Sequence, residues 1–354
     1  MPIHEKPSTL VKTAFPVFHT TPETPFTWEP SKLNVIVPVT NSCRYSSRYH
    51  LFEKFEKMVI DAGAQLWVVE AAFRHRPHAV THHENPRNIQ LRTSSEIWHK
   101  ENLINIGISR LPSDWEYVAW IDSDITFARP DWVNETLNQL QHYHVVQMFS
   151  NTHDLAPDFS IIRNHTGFMA RYKSGGFDDL PGAAPGNMTM TSYFGGSRQI
   201  PPKPRPYYAH PGYAWAARRE AIDHLGGLLD FAILGSADYY MAYGLIGKIQ
   251  QTMNPLWTDG FKNMMIEWGA RADRHIRKNV GFVSGSILHQ WHGKKKDRRY
   301  NDRNKILVEN QYDPHLDLKK DSHGVWQLTG RSIPLRDQIR EYFRGRAEDS
   351  IDVI

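Results

Sequence analysis

The stretch VAWIDSDITFARPDW, residues 118–132, decides how this chain is read. Val118-Ala119-Trp120-Ile121 is short and continuously apolar, as expected of a strand buried on both faces of a sheet. It ends on two carboxylates, Asp122 and Asp124, separated by Ser123, and the chain then turns through Arg129-Pro130. Working upstream, Leu33–Val39 (LNVIVPV) and residues 66–73 (LWVVEAAF) have the same character. Between them, residues 45–62 carry Leu51, Phe55, Met58 and Val59 on one stripe and close on Gly63, which predicts a helix. Residues 94–109 read as a second helix, Tyr117–Ile121 as a strand, 131–141 as a helix and 144–149 as a strand. Strands alternating with helices imply an α/β fold, a mostly parallel sheet with helices on both faces. Ligands of such sheets sit at the carboxyl ends of the strands. Asp122 and Asp124, Glu70 and the Thr40-Asn41 turn all fall at such ends, so three strand ends converge on one crevice.

Composition is that of an ordinary globular protein: 354 residues, 40% hydrophobic and 23% charged. No apolar run of 18 residues occurs, which predicts no membrane span. The opening MPIHEKPSTLVKTAFPVF lacks an apolar core of the signal-peptide kind. Cys43 is the lone cysteine, so no internal disulfide can form, which favours a reducing compartment; a cytoplasmic location is expected. Net charge is only +4, yet residues 294–346 hold 14 Lys/Arg against 8 Asp/Glu. That basic stretch suits an anionic partner, be it a diphosphate, a nucleic acid or a membrane surface, and equally a solvated face of mixed charge. Residues 1–31, with six prolines, predict an extended arm. Residues 151–210, rich in Gly, Pro, Ser, Thr and Asn, predict functional loops or a lid.

Paired carboxylates where a strand gives way to a loop can reach one centre, and hard oxygen ligands suit Mg2+ or Mn2+. The same D-x-D pattern also caps ordinary turns. Residues 287–303, ILHQWHGKKKDRRYNDR, add what a turn does not need. His289 and His292 follow the apolar run VGFVSGSIL and could complete a metal site. Lys294, Lys295, Lys296, Arg298 and Arg299 could neutralise a diphosphate.

Taken with LNVIVPVTN, VVE, HKENLINIGI, WIDSDITF, HPGYAWAARREAIDHLGGLLDFAILGSADYYM and HQWHG, the chain resembles the GT-A fold, nucleotide-sugar-dependent glycosyltransferases. The likeness spans about residues 32–305, and the tail, 306–354, resembles extensions of phage-type and bacterial members. The resemblance implies that Asp122-Ser123-Asp124 reaches the ribose and, through the metal, the diphosphate, with Asp124 the firmer ligand. It implies nucleotide contacts from Pro38, Val39, Thr40 and Asn41, from Glu70, and from Lys100 and Asn102, with Lys294 and Arg298 at the diphosphate. His289 or His292 would be the late metal ligand. Asp238 would accept the proton of the acceptor hydroxyl, though it also reads as a residue of a helix N-terminus. Where many inverting members carry two adjacent acids, this chain has Ala237-Asp238.

The implied reaction moves a sugar from a nucleotide diphosphate sugar, UDP by default, to a hydroxyl, with inversion. Trp215, Tyr239 and Tyr240 are candidates for the acceptor side, and core packing is the other reading of each. The acceptor is either a 5-hydroxymethylpyrimidine of phage DNA, which the basic C-terminal third suits, or a cell-envelope saccharide or lipid-linked glycan. For the latter, residues 334–346 would be an amphipathic basic helix. A non-catalytic nucleotide- or carbohydrate-binding protein is a further alternative. A nucleotidyltransferase is not favoured, since TNSCRYSS after the first strand lacks a glycine-rich loop with lysine.

Overall fold

The computed structural model describes residues 28–175 and 209–353. The arm expected over 1–31 and the centre of the expected lid, 176–208, therefore lie almost wholly outside the described residues. The strands are β1 (Leu33–Val39), β2 (Gln65–Phe73), β3 (Asn88–Thr93), β4 (Tyr117–Ile121), β5 (Ile125–Phe127), β6 (Val145–Gln147), β7 (Asn151–Leu155), β8 (Ile161–Gly167), β9 (Ala209–His210), β10 (Ala214–Arg218), β11 (Val280–Phe282), β12 (Ser286–His289), β13 (Leu318–Lys320) and β14 (Trp326–Leu328). The helices, numbered in chain order, are α1 (Ser46–Asp61), α2 (Lys100–Ile108), α3 (Trp132–Leu140), α4 (Phe168–Lys173), α5 (Arg219–Leu225), α6 (Ala237–Leu245), α7 (Asp259–Arg271), α8 (Tyr300–Glu309), α9 (Pro314–Asp317) and α10 (Ile333–Arg344).

Among the described residues, seven strands form the central sheet in the order β11-β6-β10-β4-β1-β2-β3. All are parallel except β10, which pairs antiparallel with β4 and β6. Successive residues of the inner strands point to opposite faces, and both faces are covered. Ile36, Val118, Trp120, Trp215 and Ala217 pack under α2, α5, α6 and α7. Val35, Val37, Ala119, Ile121, Ala214 and Ala216 pack under α1 and α3. Double burial is why these strands read as unbroken apolar runs rather than alternating ones.

Three expectations are corrected. The helix expected over 94–109 begins only at Lys100, because residues 88–93 extend the sheet edge as β3. Ser95 to His99 is then held by tertiary contacts: Trp98 N–H donates to Ile233 O at 2.8 Å, and Ser95 Oγ accepts from Leu328 N–H at 2.9 Å. VGFVSGSIL is two strands, broken at Gly285, where φ is +141°; β11 joins the central sheet and β12 a second one. That second sheet, β5-β12-β7-β8-β9, also absorbs the start of the expected loop region, since residues 151–167 form a bulged β7–β8 hairpin.

The C-terminal residues lie against the loop after β1. Tyr45 Oη donates to Phe343 O and Arg344 O at 3.0 and 2.9 Å, and the Asp349 carboxylate accepts from Ser46 and Ser47 N–H at 2.9 and 2.8 Å. Of α10, Leu335, Ile339 and Tyr342 are buried. These three side chains are thus spent on the core, while Ile333 at the start of the helix is exposed.

Candidate active site

A cavity of about 190 Å3 opens at the carboxyl ends of β1 and β4. Of the residues singled out in the sequence, Pro38, Thr40, Asn41, Lys100, Asp122, Ser123, Asp124, Asp238, His289, His292 and Arg298 line it. The antiparallel β10 explains part of this convergence. Ala214 pairs with Ile121, so the residues just before β10 lie beside the D-x-D, and Asp122 N–H donates to Tyr213 O at 2.8 Å. Asp238, in the first turn of α6, abuts Gly212; any Cβ there would collide with the Asp238 carboxylate. Two non-glycine residues of the cavity wall, Tyr213 and Ser236, hold left-handed backbone with φ of +77° and +78°. Such conformations cost about 1–3 kcal/mol each and persist where the surroundings enforce them.

The two carboxylates of the D-x-D part company. Asp122 forms an ion pair with Lys100. Burial pushes its pKa up to about 6, Lys100 pulls it down, and the neighbouring Asp124 adds to the rise. Asp124 instead meets the histidines. His292 Nε2 lies 3.0 Å from Asp124 Oδ2, His289 Nε2 lies 4.0 Å from the same oxygen, and the two Nε2 atoms are 3.2 Å apart. Burial raises the Asp124 pKa, but His292 and then His289 outweigh it and hold the carboxyl well below the usual range.

Asp154, which the sequence reading missed, sets the orientation. It is buried in β7, opposite His289 of β12 in the ladder. His289 Nδ1–H donates to Asp154 Oδ1 at 2.8 Å, which leaves the lone pair on Nε2, facing Asp124 and His292. Burial lowers the His289 pKa to about 4 against the pull of Asp154, so the ring is neutral at pH 7. The Asp154 carboxylate also takes hydrogen bonds from His165 Nε2 at 2.8 Å and from Lys295.

Asp124 and the Nε2 atoms of His289 and His292 thus lie close enough together to share one centre, and Asp124 Oδ1 is buried without a partner. Such a group could hold a metal ion, and two nitrogens with one carboxylate suit Mn2+ or a comparable transition ion better than Mg2+, which demands oxygen. Asp124, His289 and His292 fit such an ion; Asp122, tied to Lys100, is not in the cluster.

The remaining candidates are placed elsewhere. Glu70 is buried and its carboxylate is saturated by Ala79, Val80 and Thr81 N–H at 2.6, 3.1 and 3.0 Å and by Thr81 Oγ1 at 2.7 Å. It orders that loop and does not line the cavity. Asn102 joins α2 to the β13–β14 hairpin, donating to Gly324 O and accepting from Trp326 N–H, both at 3.0 Å. Val39 is buried under the sheet, and Lys294 pairs with Asp352 at 3.5 Å. Trp215, Tyr239 and Tyr240 are core residues, 2–4% exposed, because α6 buries every side chain but that of Asp238. Of the five expected cations only Arg298 reaches the cavity, its Nη2 donating to His292 Nε2 at 2.9 Å.

The wall also contains Glu101, Arg303, Arg346 and Glu348, none anticipated. Glu348 accepts from Arg48 Nη2 at 2.8 Å and from Arg346 Nε at 2.5 Å. Glu101 is buried in the first turn of α2, and burial above all pushes its pKa up to about 8.

No protein-family profile matches the sequence, and no curated protein matches it. Solved structures do. The catalytic domain of Drosophila β1,4-galactosyltransferase 7, in complex with xylobiose, matches at 13% identity over 63% of this chain, with a TM-score of 0.29. The chain spans 64% of the length of that structure. A Desulfovibrio desulfuricans G20 protein, named for nucleotide-diphospho-sugar transfer, matches at 13% identity over 89% of this chain and 97% of its own, with a TM-score of 0.33. Residues 1–349 of S. aureus TarS match at 11% identity over 70% and 73% of the two chains, with a TM-score of 0.29. Overlap this loose carries no functional assignment, and the reading below rests on the site.

Proposed function

We propose that the protein is a metal-dependent glycosyltransferase that uses a nucleotide diphosphate sugar, UDP-linked by preference, and inverts the anomeric centre. The carrying observation is the meeting of Asp124 with His289 and His292, three potential metal ligands drawn from two distant parts of the chain. Asp124, His289 and His292 would hold the ion, and a bound Mn2+ would supply Lewis-acid stabilisation of the diphosphate oxygens.

The chain's own groups carry the rest. Lys100, paired with Asp122, and Arg298, beside His292, line the cavity and would stabilise negative charge that develops on the leaving diphosphate. Pro38, Thr40 and Asn41 form the wall for the nucleoside. Asp238 takes the proton from the acceptor hydroxyl as its oxygen bonds to the anomeric carbon. The bond from that carbon to the diphosphate breaks, and its electron pair leaves with the nucleoside diphosphate. A single base, Asp238, is what a single displacement with inversion would use.

For the acceptor we favour a saccharide hydroxyl. The basic C-terminal third, which pointed toward DNA, is largely spent within the fold. Lys295 pairs with Asp154, Arg331 with Asp317, Arg336 with Asp337, and Arg340 and Arg344 with Glu96, while Arg298, Arg303 and Arg346 are buried. The test is calorimetry of UDP, GDP and CDP with and without Mn2+, followed by turnover of the bound donor with saccharide and hydroxymethylated-DNA acceptors. Mn2+-dependent binding of one nucleotide, abolished by Asp124→Ala, is the expected result. Absence of metal-dependent binding for every nucleotide refutes the reading, and binding without transfer to any acceptor favours a non-catalytic binding protein.

A further inference from the structure

His292 is buried, and its two ring nitrogens meet different parts of the chain. Nε2 lies 3.0 Å from Asp124 Oδ2, and Arg298 Nη2 approaches the same nitrogen at 2.9 Å. Nδ1 lies 3.9 Å from Glu348 Oε2. An imidazole nitrogen binds a metal ion through its lone pair, so Nε2 can serve only if the ring proton sits on Nδ1. The neighbours of Nε2 pull in opposite directions. Asp124 draws the proton toward Nε2, whereas Arg298, which can only donate, draws it away. The group beside Nδ1 therefore tips the balance.

That group is held with unusual care. Glu348 is buried, and its carboxylate takes Arg48 on both oxygens, Nε to Oε2 and Nη2 to Oε1, and Arg346 Nε on Oε1. Two guanidinium groups against one carboxylate keep it ionised despite its burial. Its backbone is fixed as closely. Ser47 Oγ donates to Glu348 O at 3.1 Å, and Trp291 Nε1 donates to Ser350 O at 2.7 Å. Gly293, next to His292, has φ of +83°, and a Cβ there would come within 2.7 Å of Ala347 O and 2.9 Å of Glu348 Cα. The loop that carries His292 thus lies directly on the segment that carries Glu348.

We propose that Glu348 is a positioning residue of the metal site: its carboxylate keeps the ring proton of His292 on Nδ1 and so leaves the Nε2 lone pair for the ion. At 3.9 Å the pull is electrostatic, and a movement of about 1 Å turns it into a hydrogen bond. Each histidine of the cluster then has a buried carboxylate beside its outer nitrogen, Asp154 of β7 for His289 and Glu348 of the C-terminal tail for His292. The inference rests on the reading of Asp124, His289 and His292 as metal ligands.

The experiment compares the full-length wild type with Glu348→Gln, which keeps the shape of the side chain and removes its charge. Nitrogen-15 spectra of the metal-free, histidine-labelled proteins at about pH 8, where an imidazole is neutral, read which ring nitrogen carries the proton. His289→Asn and His292→Asn assign the two signals. Electron paramagnetic resonance of free Mn2+ reads the affinity of the site. The expected result is a wild-type His292 protonated on Nδ1, a shift of that proton toward Nε2 in Glu348→Gln with His289 unchanged, and Mn2+ binding weaker by about 10–100-fold. A wild-type His292 with its proton on Nε2 overturns the proposal, whether or not the variant folds. A folded Glu348→Gln with wild-type Mn2+ affinity also overturns it. So does a variant in which the His289 signal moves along with that of His292, since the tail then acts on the whole site rather than on one ring. Failure of the wild type to bind Mn2+ sinks the metal reading instead, and the nitrogen spectra still decide whether Glu348 sets the ring proton.

Discussion

Asp154→Asn is the sharpest test of the metal site, because Asp154 touches no ligand of the ion except through His289. The carboxylate accepts His289 Nδ1–H at 2.8 Å and thereby aims the Nε2 lone pair at Asp124 and His292. Asn can accept the same hydrogen bond through its oxygen, but without charge, and a rotated amide would donate to Nδ1 and place the proton on Nε2. Losing the outer partner of a metal-binding histidine typically costs 10–100-fold in metal affinity, about 1.4–2.7 kcal/mol. The substitution also strips the counter-ion from Lys295, so a fall in stability of about 3–5 kcal/mol accompanies it. Because of that fall, Mn2+ affinity should be read by electron paramagnetic resonance of the free ion at low temperature, with circular dichroism confirming that the chain is folded. The expected outcome is a 10–100-fold weaker site in a folded protein, with His289→Ala weaker still. A folded Asp154→Asn variant with wild-type Mn2+ affinity would show that His289 needs no such partner and would refute the reasoning.

Other consequences are open to direct measurement. Asp124→Ala should abolish Mn2+ binding in a titration, whereas Asp122→Asn should weaken it less than tenfold, since Asp122 is committed to Lys100. Asp238→Asn should lower kcat by roughly 10^2–10^4-fold and leave the Kd for nucleotide unchanged, as expected of a general base that does not hold the donor. Gly212→Ala drives a methyl group into Asp238, and chemical denaturation should register a loss of about 1–3 kcal/mol together with loss of turnover. Glu101 binds its proton in the folded state up to about pH 8, well above its unfolded value. The native state thus holds more protons than the unfolded one between about pH 4.5 and 8, so Glu101 makes stability fall as pH rises through that window. Glu101→Gln should flatten that fall in denaturant midpoints taken at pH 5 and pH 8.

What the sequence made legible follows from range. Continuous apolar runs such as Leu33–Val39 and Tyr117–Ile121 are local signals of double burial, and both strands stand where they were read. Lys100 was misread as mid-helix because residues 94–99 carry helical spacing, while the contact that overrides it, Trp98 N–H to Ile233 O, is 135 residues distant. The histidine pair was visible because HQWHG is compact, but Asp154 sits in an unremarked THD triplet and acquires its role only when β7 pairs with β12. Glu70 shows the reverse failure. It lies inside β2, three residues before the strand ends at Phe73, and its four hydrogen bonds to Ala79–Thr81 could not be read from spacing. The aromatic residues flanking Asp238 misled for a physical reason too: α6 is apolar all round, which marks a helix buried on every side rather than a binding face.

The reversed strand β10 ties the two halves of the proposed chemistry together. In a sheet of parallel strands, ligand-facing residues come from strand ends, and residues before a strand lie at the opposite edge. Because β10 alone runs antiparallel, its leading segment, His210 to Tyr213, arrives at the edge where β4 ends. One backbone hydrogen bond, Asp122 N–H to Tyr213 O, fixes that segment to the D-x-D, and Gly212 within it fits against Asp238 with no room for a side chain. The distance between the metal-side carboxylates and the proposed base is therefore set by strand pairing rather than by a flexible loop. The left-handed backbone at Tyr213 and at Ser236 marks where the chain bends to keep it so. Such rigidity is what an in-line displacement requires, since attacking oxygen, anomeric carbon and leaving oxygen must align within a fraction of an ångström.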